Sequence, residues 1–158
     1  MKPALLALAA CAALAAPAAA QELKVTGLDG QVKVLKLAEL SSLPRGSATL
    51  TEDGKPHVYE GPLAAAVLRA AGAPMGSRLH GDPLKAYAVV RGADGFFAVY
   101  SLAELDRDFH DDPVVLADTV DGAPLADKQR PWRLVSGGDR KGWRAVYAVS
   151  AIELKPVR

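Results

Sequence analysis

The residues best suited to chemistry lie near the C-terminal end, in the run Arg133-Leu134-Val135-Ser136-Gly137-Gly138-Asp139-Arg140-Lys141-Gly142-Trp143-Arg144. Glycines let backbone N–H groups turn toward an anion. Arg133 stands just before the Gly-Gly turn, and Arg140 and Lys141 follow it. Such a grouping suits phosphate or another oxyanion, held by charge-assisted hydrogen bonds. Trp132 and Trp143 flank the segment, either as core residues or as the wall of a pocket on which a ring could stack. The same composition also makes a plain solvated hairpin turn, and the sequence leaves both readings open.

Other reactive types are poorly placed. Ser136 lacks the Gly-x-Ser-x-Gly frame of a nucleophile elbow and reads as a turn residue. His57, His80 and His110 are far apart, and none has the spacing of a local metal site. His57 reads as a surface or edge position of a strand, and His80 as an exposed loop residue. Asp106, Asp108, His110 and Asp112 alternate as calcium-loop ligands do. Asp111 stands where such a loop needs Gly, however, and Ala117 where it needs Glu. Residues 104–113 therefore read as a solvated helix end and turn, and no acid–base role is expected of His110.

The cysteine count closes further routes. Cys11 is the only cysteine, and it lies in an apparent export signal. Lys2 begins that signal, an apolar stretch over 4–16 follows, and Ala18 and Ala20 form a small-residue cleavage site. Cleavage is expected after Ala20, giving a periplasmic chain of residues 21–158. Leu8-Ala9-Ala10-Cys11 also resembles a lipoprotein box, the alternative in which Cys11 is lipidated. No Arg-Arg pair is present, so the signal reads as one for general secretion. With Cys11 removed, zinc–thiolate, iron–sulfur and Cys-nucleophile chemistry are excluded. Removing Lys2 from the 19 basic residues leaves 18 against 18 acidic ones. That balance speaks against nucleic acid or an anionic membrane as partner. No later apolar run is long enough to span a bilayer. The remaining partners are a periplasmic protein or a small anionic ligand.

The elements that must position these residues are mostly strands. Asp-Gly occurs at 29–30, 53–54, 94–95 and 121–122, between segments that alternate as strands do. A further strand pair is expected between "WRLVS" and "WRAVYAVSAIEL", joined by the glycine-rich turn. A helix is expected over 62–72, with Pro62 in its first turn, Gly72 past its end, and Leu63, Val67 and Ala70 or Ala71 as its apolar stripe. A second begins at 101–105, where Ser101 and Glu104 make a capping box and Tyr100 and Leu105 a hydrophobic staple. Residues 29–40 and 94–105 share the frame Asp-Gly, six residues, Leu-Ala-Glu-Leu. Both read as turn, strand and short helix. The fold class is a compact, mixed, β-rich α+β domain with short helices.

The stretches 59–74, 87–109, 114–125 and 130–154, in this order and spacing, resemble the oxidoreductase molybdopterin-binding domain of the sulfite oxidase-like superfamily. The chain is most similar to that family's small exported bacterial members. The resemblance implies one mixed α+β domain and a molybdopterin cofactor, its phosphate approached by Arg133, Arg140, Lys141 and Arg144. It also implies a metal-binding cysteine after a strand similar to "SATLTE", where this chain has Thr51 or Glu52. Neither is a soft thiolate ligand. The expectation is therefore a molybdopterin-dependent oxidoreductase-like domain without its own molybdenum centre and with no metal ligands. No bound cofactor is expected. A small anionic or pterin-like ligand is its expected binding partner; the alternative is a non-catalytic periplasmic interaction module.

Overall fold

The computed structural model describes residues 21–157. The expected cleavage at Ala20 and the lipoprotein alternative at Cys11 lie outside the described residues.

All four Asp-Gly pairs form hairpin turns. The first joins β1 (Glu22–Thr26) to β2 (Val32–Lys36), and the second joins β3 (Arg45–Glu52) to β4 (Lys55–Pro62). The third joins β5 (Tyr87–Gly92) to β6 (Phe97–Ser101). The last, after β7 (Val114–Ala117), joins β8 (Thr119–Val120) to β9 (Ala123–Pro124). Asp53 and Gly54 (φ 50° and 77°) and Asp121 and Gly122 (φ 51° and 77°) both enter the left-handed region. A two-residue turn needs this if its twist is to match the strands.

The fifth expected pair is corrected. β10 (Arg133–Ser136) pairs with β7, antiparallel, while β11 (Val149–Lys155) runs between β1 and β5 in another sheet. Between the two segments the described residues form one antiparallel bridge, Leu134 to Val146, and a hydrogen bond from the Val149 N–H to the Trp132 carbonyl at 2.8 Å. Burial explains the difference. Every residue of β7 and β10 is buried, whereas β11 has half-buried and buried positions. A strand buried on both faces belongs between layers, and β7–β10 is that middle layer.

One outer layer is a five-stranded sheet in the order β2-β1-β11-β5-β6, and the other is four-stranded in the order β3-β4-β8-β9. The two similar turn–strand–helix units end up as its opposite edges, β2 and β6. Side chains alternate across the middle layer. Val114, Leu116 and Leu134 join the core under the five-stranded sheet, with Leu23, Tyr100 and Ile152. Val115, Ala117 and Val135 join a second cluster, with Ala48, Leu50 and Tyr59 of the four-stranded sheet. Period-two alternation puts Arg133, two residues from Val135, on the side facing β3 and β4. At Gly61 on β4 the layers nearly touch: an added Cβ would lie 2.1 Å from the Leu116 carbonyl oxygen.

The helices are shorter than the sequence suggests. α1 spans Leu37–Ser41 and α2 spans Ala64–Ala70. Pro62 closes β4, Leu63 is the extended residue before the helix, and Gly72 (φ 95°) lies beyond it. Val67 is buried as expected, and Ala70 and Ala71 pack at the edge of the larger cluster. The expected second helix is only a 3-10 turn, Ala103–Leu105. Its capping box is nonetheless formed: Ser101 N–H donates to Glu104 (2.8 Å) and Glu104 N–H to the Ser101 hydroxyl (3.1 Å). Among the described residues no helix is long and apolar enough to cross a membrane.

Candidate functional site

Arg133 is the centre of the site, and its side chain has no exposure to solvent. Its guanidinium forks onto one carboxylate: Nη2 donates to Glu52 Oε1 at 2.8 Å and Nη1 to Glu52 Oε2 at 3.1 Å. Nη1 also donates to the Tyr59 hydroxyl, which itself donates to Glu52 Oε2. The guanidinium also lies close to two rings, with Cζ 4.5 Å from the centroids of both Tyr59 and Tyr147. Buried Arg133 Nε has no hydrogen-bond partner among the described residues. Each neighbour has a positional reason. Glu52 ends β3, Tyr59 lies on the adjoining strand with its side chain toward the second cluster, and Arg133 opens β10 below them.

This arrangement sets the protonation states. Hydrogen bonds from Arg133, and then from Tyr59, hold the Glu52 carboxyl below its ordinary range against the opposing pull of burial. Burial and the adjacent Glu52 carboxylate push the Tyr59 phenol well above its ordinary range. At neutral pH the cluster is therefore an arginine cation, one carboxylate and a neutral phenol.

The expected anion-binding residues do not converge. Arg144 is half-buried and clamped elsewhere: it donates to both oxygens of Asp139 at 2.8 Å and to Glu104 at 3.0 Å, with Cζ 4.5 Å from the Tyr100 ring centroid. The ion pair with Asp139 raises its affinity for the proton further. Arg144 thus fastens the 139–144 turn to the capping box. Arg140 and Lys141 are exposed. Lys141 lays its ammonium 4.3 Å from the ring centroid of Trp143, which is 80% exposed. Trp132 is the opposite case, 1% exposed and part of the core.

Two clefts meet at Trp143. One, of about 360 Å³, is lined by Thr51, Glu52, Asp53, Lys141, Gly142, Trp143 and Tyr147. The other, of about 280 Å³, is lined by Asp94, Phe96, Gly142, Trp143, Ala145 and Tyr147. Gly142 is the floor between them: a Cβ there would stand 2.8 Å from Leu50 and 3.2 Å from Glu52. A depression of about 410 Å³ beside the β1–β2 turn offers less chemistry, because its Lys33 ammonium is given to the Ala70 carbonyl at 2.8 Å.

The acidic run is corrected at Asp106, which is not solvated but buried, accepting the Gly76 and Asp108 N–H groups at 2.5 and 3.1 Å. His110, of which no acid–base role is expected, borders a cleft of about 200 Å³ with Glu104, Asp112, Ser136, Gly138, Asp139 and Arg144. Its Nε2 lies 2.5 Å from the Glu104 carbonyl oxygen. His57 is half-buried and meets Asp121 at 2.6 Å, and His80 is exposed. Among the described residues no group of three or more His, Cys, Asp or Glu is arranged to hold a metal ion.

The sequence did not reveal Glu52, Tyr59 and Tyr147 as the partners of Arg133. The available signal was an arginine inside "RLVS", a segment too apolar to be an exposed turn edge.

No family model matches the sequence, and no curated protein does. Solved structures do match. One is the sulfane dehydrogenase SoxCD from Paracoccus pantotrophus, with a TM-score of 0.64 at 19% identity, covering 86% of this chain and 39% of that one. The likeness is one of fold, a distant sulfite oxidase-like fold, and the chain spans well under half of its neighbour's length.

Proposed function

We propose that this chain is an exported, non-catalytic binding domain of sulfite oxidase-like fold that carries no molybdenum centre of its own. One observation carries the reading. Where the resemblance calls for a thiolate, at the end of β3, the chain has Thr51 or Glu52, and the Glu52 carboxylate is already held by Arg133 and Tyr59. The residues do not fit a pterin cofactor ligated through sulfur. Of the four cations aligned with a pterin phosphate, Arg133 and Arg144 are engaged by carboxylates of this chain. Only Arg140 and Lys141 remain exposed.

The surface best suited to binding is the ledge of Trp143, Lys141 and Tyr147 between the two clefts. A large, rigid aromatic side chain standing in water gains most when a partner covers it, and such residues dominate contact energies. Its partner is a periplasmic protein, or a small anionic ligand drawn by Arg140 and Lys141. Metal and pterin analysis of the protein purified from its own exported fraction tests the central claim. Substoichiometric molybdenum and no pterin are expected. One molybdenum atom per chain overturns it.

A further inference from the structure

We infer that Arg133, Tyr59 and Tyr147 form an oxyanion-binding site whose occupant in this chain is its own Glu52 carboxylate. Small carboxylates and tetrahedral oxyanions are excluded from that site until Glu52 is removed. This rests on the reading above that no cofactor fills the position.

Three features distinguish the cluster from an ordinary surface ion pair. Both Glu52 oxygens are used in the forked, two-bond geometry by which arginine captures carboxylates and phosphates. The guanidinium is held by aromatic neighbours as well, its Cζ 4.5 Å from the ring centroids of both Tyr59 and Tyr147, so groups other than the carboxylate fix its position. One buried donor, Nε, remains unused, so the cluster has more capacity to donate than one carboxylate consumes.

The site also has an entrance. The Glu52 side chain is 27% exposed and lines the cleft of about 360 Å³, whereas Arg133 behind it is fully covered. Glu52 is therefore the part of the pair facing water. Shortening it to alanine joins the cleft to the guanidinium and leaves a buried cation without its counter-ion. That is the state a small anion relieves.

Thermal melting of the exported chain and its variants, with acetate, formate, sulfate or inorganic phosphate added against sodium chloride at matched ionic strength, tests the inference. An anion drawn by exposed Arg140 and Lys141 acts equally on the wild type and the variants, so the wild type should show no response beyond that shared one. Glu52→Ala should melt roughly 10 °C or more lower, the consequence of breaking a buried pair from one side. Added acetate or formate should recover much of that loss, rising with the logarithm of concentration once the site fills. Adding Arg133→Lys to Glu52→Ala should abolish the recovery, because a point charge lacks the fork. Glu52→Gln, which keeps the volume, should also melt below wild type but without anion recovery, its amide still blocking the entrance. Wild-type stability in Glu52→Gln would overturn the inference, and so would an equal anion response in the wild type. Glu52→Ala that folds but ignores every anion would do the same. These failures leave the metal analysis untouched, and molybdenum in the native protein would sink the earlier reading whatever the anions do.

Discussion

At the scale of single residues, the pairing of Glu52 with Arg133 converts a reactive-looking cation into structure. Its depressed carboxyl gives a definite pH signature. A group whose pKa is lower folded than unfolded contributes stability fully above its unfolded value, near 4.5. That contribution is lost as pH falls through the folded value. Glu104, Asp121 and Glu153 are shifted in the same direction, so the wild type loses stability in acid for several reasons. Comparison with Glu52→Gln isolates one of them. Below about pH 4.5 the variant's stability should fall less steeply with acid than the wild type's, measured by denaturant unfolding at each pH. Superimposable slopes would mean that Glu52 is not ion-paired. The tryptophans offer a second check. Trp143 is 80% exposed and Trp132 1%, so iodide should quench one emission component only, and Trp143→Phe should remove it. What was legible here is instructive. Arg133 could be picked as a cation worth watching, but its partners lie 81 and 74 positions away. No local pattern announces a contact of that range.

At the scale of elements, turns and caps were legible from local residues, whereas helix lengths and the pairing of distant strands were not. Each Asp-Gly turn declares its own hairpin because the requirement for positive φ is met within two residues. The capping box of Ser101 and Glu104 likewise formed, although the turn it starts is 3-10 rather than α. The partner of β10 was missed for a physical reason. β7 is separated from it by the β8–β9 hairpin, while the glycine-rich turn after it suggested a neighbour close in sequence. The crossing of β4 over β7 yields a contrast between glycines. Gly61→Ala puts a methyl group 2.1 Å from a backbone oxygen that no rotamer change can move. A loss of about 3 kcal/mol or failure to fold is expected. Gly30→Ala meets no atom within 4 Å and carries only the strain of φ 79°, about 1 kcal/mol. Comparable losses in the two variants, by chemical denaturation, would show that the layers are not in close contact at Gly61. Ser101→Ala should cost about 1 kcal/mol through the lost cap.

At the scale of the whole molecule, the middle layer determines how the chain unfolds. β7 and β10 give alternate side chains to both clusters: Leu116 and Leu134 to one, Val115 and Val135 to the other. Neither outer sheet can leave without exposing one face of these two strands. The long-range pairing of β1 with β11 adds a second tie, joining the first described strand to the last. Elements so connected are expected to melt together, as a single core does in a domain of this size. Among the described residues the one buried cation, Arg133, has its counter-ion within the chain. Residues 21–158 made alone, without metal or pterin, should therefore unfold in one transition. Calorimetric and van't Hoff enthalpies should agree, and chelator should not shift the midpoint. Two transitions would show that the sheets are separable. A chain disordered until molybdenum cofactor is added would show that the Arg133 cluster is not the resting state of the site.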